Sequence, residues 1–378
     1  MSGQGGGWSF RAVRDMCGGA PGPARRGPRT WICGFLAGWD GSGSPHGHLG
    51  SYSYARFSDS GEILEASREI WSPYPLYVCE SDRVVTDRGG PGCVLLEPGS
   101  RVIERPDGLE RSRSPPTAAP PSEDCQIERL VRALTDCHRA IACGPRRVAI
   151  AFSGGLDSSL LALLASELCG QEVILYAVTD EGMKGVGDAM ESAAALGLPL
   201  RTVVVTASRS ADFVSAGDYR SDMEAALALG FSSAAEAARE DGVRHLVVGQ
   251  LADELFGGYH RYLALRGREL DRAMMSDLEG TSVSLVRDAS AIMDRGVMPI
   301  FPYTCSGLVP VALAMPPDCR VRGGIRKYAL RMAAIALGLP ERLAMREKRA
   351  FQYSSGLERL IRAQRAGRPS RGPGPERT

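Results

Sequence analysis

Two short segments, each rich in glycine and each carrying a carboxylate, hold the residues most able to do chemistry in this chain. The first is Ser153-Gly154-Gly155-Leu156-Asp157-Ser158-Ser159. Adjacent glycines let the backbone approach an anion with no Cβ in the way. A helix opening directly afterwards would add free N–H groups and the positive end of its dipole, a ready cradle for phosphate. Ser153, Ser158 and Ser159 supply further hydroxyl donors. Asp157 is the informative member, because a carboxylate beside a phosphate is repulsive unless a cation lies between them. Magnesium binds phosphates together with one or two carboxylates, which makes Asp157 a candidate metal ligand. A Gly-Gly turn with a serine cap is the plain alternative; the full seven-residue pattern and its setting favour a nucleotide. No Gly-Lys-Ser/Thr follows, so the loop is not of the Walker A type. The second segment is Gly249-Gln250-Leu251-Ala252-Asp253-Glu254-Leu255-Phe256-Gly257-Gly258-Tyr259. Alone it reads equally as a capped helix start with a Gly-Gly stop. Beside the first loop, Asp253 becomes a second candidate ligand for the same cation.

The elements around these loops would bring them together. Arg147–Phe152 is a continuous apolar run suited to a buried parallel strand, and it feeds directly into the first loop. Further strands are expected at 172–178, 201–206 and 244–249. Helices are expected at 127–141, 158–168, 187–196 and 222–240. Such alternation predicts an α/β fold, a doubly wound parallel sheet with helices on both faces. Both loops leave strand ends, where ligands of open α/β sheets bind. Beyond Gly258 the pattern is mainly helical. Before Asp124 the chain differs: short apolar stretches (Trp31–Leu36, Leu76–Cys79, Arg83–Thr86, Cys93–Leu96) broken by Gly, Pro, Asp and Ser indicate a small β-rich domain over 31–110. Residues 111–123, with four prolines, read as a stiffened linker. Residues 1–30 and 361–378 are expected to be disordered tails.

Composition excludes several classes. A net charge of +1 gives no electrostatic case for nucleic acid. No apolar run approaches the ~20 residues of a membrane span, and the amino terminus lacks a secretory pattern; a cytoplasmic protein is expected. The ten cysteines form no Cys-x-x-Cys pair, so zinc is not expected and most should be buried thiols.

Taken together, the two loops resemble the synthetase domain of asparagine synthetases. The likeness continues through Arg287-Asp288, Phe301-Pro302-Tyr303, Arg326-Lys327-Tyr328-Ala329-Leu330-Arg331 and Arg346–Gly356, covering 124–360. It is nearest in flavour to the short archaeal-type synthetases and the asparagine synthetase domain-containing proteins. The resemblance implies the ATP-pyrophosphatase (adenine-nucleotide α-hydrolase-like) fold with a helical carboxyl-terminal part. It also implies an ATP- and Mg²⁺-dependent reaction in which aspartate's β-carboxylate is adenylated, pyrophosphate leaves, and ammonia displaces AMP. On that likeness Ser153–Ser159 grips pyrophosphate, and the chain at Phe152, Val178, Val248 and Gly249 surrounds the adenosine. Lys348 corresponds to the family's catalytic lysine, a cation placed to stabilise developing charge.

Several departures bear on the acceptor half. Many bacterial relatives carry Glu where this chain has Gln250, a catalytic candidate that cannot take a proton, although archaeal-type members share the Gln. Leu251 replaces a glycine. At Met298, Ile300 and Thr304-Cys305 the family usually has Glu, Arg and Leu-Asp. Aspartate or a similar acid is therefore the expected substrate, with a β-lactam-synthetase-like change of acid and a non-catalytic nucleotide-binding homologue as alternatives. NAD synthetases and tRNA thiolases share the first loop but lack the later segments. In the amino-terminal region, resembling a reduced glutaminase domain, Cys33 (within Ile32–Gly38) or Cys17 (if translation starts at Met16) could correspond to a glutaminase nucleophile. An ordinary buried thiol is the alternative for each. The region is too short for a full glutaminase, so free ammonia is the simpler nitrogen donor, with glutamine the other. Partners should be small molecules only, with no nucleic acid and no membrane; a homodimer is left open.

Overall fold

A computed structural model describes residues 29–36, 49–57, 63–79, 84–86, 92–105, 108–114, 124–183, 186–217, 219–347 and 356–366. Eight short strands come first: β1 (Arg29–Leu36), β2 (Gly50–Phe57), β3 (Ile63–Arg68), β4 (Tyr77–Cys79), β5 (Val84–Thr86), β6 (Cys93–Leu95), β7 (Ser100–Arg105) and β8 (Gly108–Arg113). They form two antiparallel sheets, one ordered β1-β2-β3-β7-β8 and a smaller one ordered β5-β4-β6. Strand β2 is buried on both faces from Ser51 to Ala55. Its polar groups are satisfied locally: the Ser53 hydroxyl donates to Tyr74 O at 2.6 Å, and the Tyr54 hydroxyl donates to Glu65 at 3.2 Å.

The larger unit is the expected parallel sheet. Strands β9 (Arg147–Ala151), β10 (Glu172–Asp180), β11 (Leu200–Val205), β12 (His245–Val247) and β13 (Met298–Ile300) lie in the order β11-β10-β9-β12-β13, all parallel. The order in which strands are added reverses between β9 and β12. Such a switch point opens a crevice at the carboxyl ends of those two strands.

Helices connect and cover the strands. They are α1 (Ile127–Ile141), α2 (Leu156–Leu163, prolonged by a π turn over Leu164–Leu168), α3 (Val186–Leu196), α4 (Ala207–Ala216), α5 (Asp222–Glu240), α6 (Ala252–Phe256) and α7 (Gly267–Met293). Beyond them come α8 (Val309–Ala314), α9 (Pro317–Arg320), a hairpin of β14 (Val321–Arg322) and β15 (Ile325–Arg326), α10 (Tyr328–Ala336), α11 (Glu341–Ala344) and α12 (Leu357–Ala366). In α1 the buried residues Leu130, Leu134, Cys137 and His138 recur at three- and four-residue spacing, one face of a helix. Helix α5 starts at Ser221, whose hydroxyl accepts from Glu224 N at 3.2 Å. Its many buried alanines let it lie close against β9, β10, β11 and β12.

The region after Gly258 is mainly helical, as expected, and also contributes β13 and the β14–β15 hairpin. A three-residue strand, Met-Pro-Ile, is too short for any periodicity to show. Strand β8 runs to Arg113 and α12 to Ala366, so order enters the stretches expected to be linker and tail; residues 1–28, 115–123 and 367–378 lie outside the described residues. Among the described residues the cysteines are not mostly thiols, contrary to expectation. Cys125 bonds to Cys319 and Cys143 to Cys169, with Cα separations of 5.3 and 5.0 Å, and Cys93 is also disulfide-bonded. Partners 194 and 26 residues apart are brought together by folding, which spacing along the chain could not reveal.

Candidate functional site

The Ser153–Ser159 loop joins β9 to α2, as expected. Gly154 has φ +73°, and a Cβ there would fall 2.4 Å from the Asp188 carbonyl oxygen and 2.7 Å from Ala189 Cα. Only glycine fits against α3. From α3, the Ser192 hydroxyl donates to Gly154 O at 2.9 Å and fixes the loop from behind. The serine donors are not equivalent. Ser153 Oγ and Ser158 Oγ lie 3.4 Å apart across the turn, whereas Ser159 is fully buried and its hydroxyl has no partner among the described residues. Leu156 belongs to the core.

The second loop leaves β12 on the other side of the switch point. A Cβ on Gly249 would lie 3.3 Å from Asp157 Cβ, so the two loops touch there. Helix α6 ends at Gly257 and Gly258, whose N–H groups both donate to Asp253 O, at 3.0 and 2.8 Å. Leu251 is buried with φ +78°, so the family's glycine at this point answers a left-handed backbone that leucine adopts under strain.

Asp157 and Asp253 converge, and the group that joins them is Lys327, which the sequence offered only within a segment of family likeness and without a role. The Lys327 ammonium lies 2.6 Å from both carboxylate oxygens of Asp157 and 2.9 Å from Asp253 Oδ1. Its delivery is local. Gly323 and Gly324 both have positive φ, making the two-residue turn that suits a tight hairpin. That hairpin ends at Arg326, which donates to Gly258 O at 3.0 Å, and Lys327 follows in a left-handed conformation, φ +58°. A Cβ on Gly258 would sit 1.6 Å from Asp253 Oδ1 and 2.4 Å from Lys327 Cε. The second glycine of the pair thus makes room for the ion cluster. Lys327 is 3% exposed while Asp157 and Asp253 are 18% and 20% exposed, so the carboxylates reach the crevice and the ammonium lies beneath them. Burial alone would lower the Lys327 pKa, but the two carboxylates outweigh it and hold the value above that of ordinary lysine. Tyr303 closes the floor, donating to Asp157 O at 3.2 Å. Burial first, then these carboxylates, push its phenol well above the usual range.

The two carboxylates offer hard oxygen donors beside a phosphate cradle, a set that fits magnesium when phosphate oxygens complete the shell. Among the described residues no group of three or more His, Cys, Asp or Glu side chains could hold a metal alone.

The remaining candidates are placed as follows. Phe152, Val178 and Val248 are buried in the main core at or near strand ends, so backbone is what they can offer an adenosine. Gln250 donates from Nε2 to Asp288 Oδ2. Lys348 and Cys17 lie outside the described residues. Flanking the Lys348 stretch, Arg346 donates to Asp188 O at 3.0 Å and Ser192 Oγ at 2.8 Å, beside the first loop. Gly356 is pressed against Asp180 at the end of β10, where a Cβ would meet Oδ2 at 2.1 Å. Cys33 is buried in the middle of β1, opposite Ser53, within the amino-terminal core. The departures from the family pattern are occupied in packing. Met298 joins that same amino-terminal core, Ile300 the main one. The Thr304 hydroxyl lies 2.7 Å from Ser51 Oγ, and Cys305 is buried with Cys137 of α1 in the main core.

A protein of Methanocaldococcus jannaschii named "Putative asparagine synthetase (glutamine-hydrolyzing) 1" is 28% identical over 383 aligned positions, covering 82% of this chain and 70% of that protein. Among solved structures, an NMN synthetase from Francisella tularensis aligns over 65% of this chain and 86% of its own, at 13% identity and a TM-score of 0.33. A U34-tRNA thiolase from Methanococcus maripaludis with its [4Fe-4S] cluster aligns over 64% and 79%, at 15% identity and a TM-score of 0.35. The profile of the asparagine synthase family matches residues 129–289 and 265–367. With both carboxylate loops and more than half of its length inside that match, this chain belongs to the asparagine synthase family.

Proposed function

We propose that this protein is an ATP-dependent, AMP-forming amide synthetase, and that its acid substrate is aspartate. The observation that carries the reading is the Asp157–Lys327–Asp253 cluster at the switch point of the sheet. It gathers two acids and one buried cation under a glycine loop able to hold a triphosphate. In this reading the acid's carboxylate attacks the α-phosphorus of ATP and pyrophosphate departs. Ammonia then displaces AMP from the acyl adenylate and leaves an amide. Ser153–Ser159 would grip the departing pyrophosphate, with Lys327 and Lys348 as the cations beside it. Magnesium held by Asp157 and Asp253 would neutralise phosphate charge. Incubation with Mg²⁺-ATP, L-aspartate and ammonium chloride should give AMP, pyrophosphate and asparagine in equal amounts. Failure of Asp157→Asn to reduce pyrophosphate release would refute the site.

One observation favours a second reading, the same adenylation with a different acid, as in β-lactam synthetases. Where the family usually carries Glu and Arg, Met298 and Ile300 are buried in packing and cannot pair with aspartate's charged groups. Pyrophosphate release with another amino or carboxylic acid, but not with aspartate, would decide for it.

A further inference from the structure

We propose that Asp288 is a positioning residue that sets the side-chain amide of Gln250, presenting its carbonyl oxygen as hydrogen-bond acceptor to the incoming nitrogen nucleophile. This rests on the amide-synthetase reading above. Asp288, on α7, is fully buried, and a carboxylate in such a place needs partners. Its Oδ1 accepts from Arg287 Nε at 2.8 Å and Nη2 at 2.7 Å, and its Oδ2 accepts from Gln250 Nε2. Arg287 is held in turn by Glu224 of α5 at 3.4 Å. Burial raises the Asp288 pKa, while the Arg287 guanidinium beside it favours the ionised form; a carboxylate so paired only accepts, which turns the amide nitrogen of Gln250 toward it. With its nitrogen end fixed inward, Gln250 keeps Oε1 free of any donor among the described residues.

The position gives that oxygen a use. Gln250 follows Gly249, the residue at which the second loop touches Asp157. An amide oxygen cannot take a proton, so Gln250 is no general base. It can accept an N–H from ammonia and so aim the lone pair at the acyl carbon. A C–N bond then forms, the acyl–oxygen bond breaks with its electron pair leaving on AMP, and the surplus proton passes to solvent water. Where that contact is lost, ammonia is aimed less well and hydrolysis of the adenylate competes with amide formation.

Nitrogen-15 NMR and product analysis test this together. The Gln250 side-chain amide is identified by its loss in Gln250→Met. In the wild type it should exchange with water about tenfold more slowly than a free glutamine amide, and that protection should vanish in Asp288→Asn. With Mg²⁺-ATP, aspartate and ammonium chloride, the ratio of amide formed to pyrophosphate released should fall about tenfold in Asp288→Asn, with a higher KM for ammonium. Should that variant not fold, Gln250→Met leaves the Arg287–Asp288 pair intact and must show the same fall in ratio. An unprotected amide in the wild type overturns the proposal, as does an unchanged product ratio. A wild-type protein that releases no pyrophosphate with any acid overturns the synthetase reading instead, and amide protection alone then decides whether Asp288 holds Gln250.

Discussion

At Lys327 one side chain satisfies two carboxylates from opposite sides of the switch point, and its own backbone is strained to do so. A left-handed conformation costs a residue other than glycine about 1–2 kcal/mol. It is held here because Arg331 Nε donates to Arg326 O at 2.7 Å and the ammonium closes on Asp157 and Asp253. Lys327→Met should therefore cut acid-dependent pyrophosphate release by about a hundredfold or more. It should also lower stability by on the order of 2 kcal/mol, since two carboxylates are left facing each other. Lys327→Arg should not restore the rate, because a planar fork cannot occupy the space of a compact ammonium. Pyrophosphate assays and denaturant melts on the three proteins check this; a competent Lys327→Arg would show that only charge matters. Gly258→Ala makes the complementary prediction from the other side of the cluster. Its methyl would lie 1.6 Å from Asp253 Oδ1, so it should abolish pyrophosphate release, while Gly144→Ala, with nothing within 4 Å of its Cβ, should leave the rate unchanged. Both carboxylates were legible in the sequence because each sits in a glycine-rich loop after an apolar run. Lys327 was not, since its role depends on a two-glycine hairpin folding back across the crevice.

The elements that hold these residues were readable to the extent that their burial is periodic. Helix α1 occupies the expected 127–141, and α5 the expected 222–240, because long helices repeat their apolar stripe several times. Strand β13 repeats nothing and carries a proline, so only its pairing with β12 identifies it. Burial in α1 also contains a group that periodicity treats as neutral. His138 is 1% exposed and neither ring nitrogen has a partner among the described residues. Burial in apolar surroundings depresses its pKa to about 4. A depressed histidine is neutral in the folded chain where the unfolded chain already binds a proton. Its contribution to stability is thus fully present above about pH 6.5 and is lost as pH falls toward 4, on the order of 3 kcal/mol in all. His138→Leu should flatten that part of the acid limb in denaturant melts taken from pH 7 to pH 4. An unchanged slope would mean that the imidazole finds a proton acceptor when charged.

Across the whole molecule, the amino-terminal sheet and the parallel sheet meet along β13 and the turn after it. The Tyr74 hydroxyl donates to Pro299 O at 2.9 Å, and Ser306 exchanges two hydrogen bonds with Gly50, at 2.8 and 3.0 Å. Met293 and Met298 are buried in the same cluster as Cys33, Tyr74 and Val102. Met298 and Thr304, two of the residues that depart from the family pattern, thus lie in the seam between the two units, Met298 by packing and Thr304 by its hydrogen bond to Ser51. The seam also adjoins the site, because Tyr303, whose hydroxyl supports Asp157, lies between Pro299 and Ser306 in the same short stretch. Removing residues 1–123 keeps every described carboxylate, lysine and glycine of the site but uncovers Met298 and frees the turn at 302–307. Such a chain should self-associate through the uncovered apolar face and release pyrophosphate about tenfold more slowly, since a displaced support near the reacting groups costs orientation. Light scattering and the pyrophosphate assay on residues 124–378 measure both effects. A monodisperse truncated protein with full activity would show that the amino-terminal unit neither covers nor braces the synthetase.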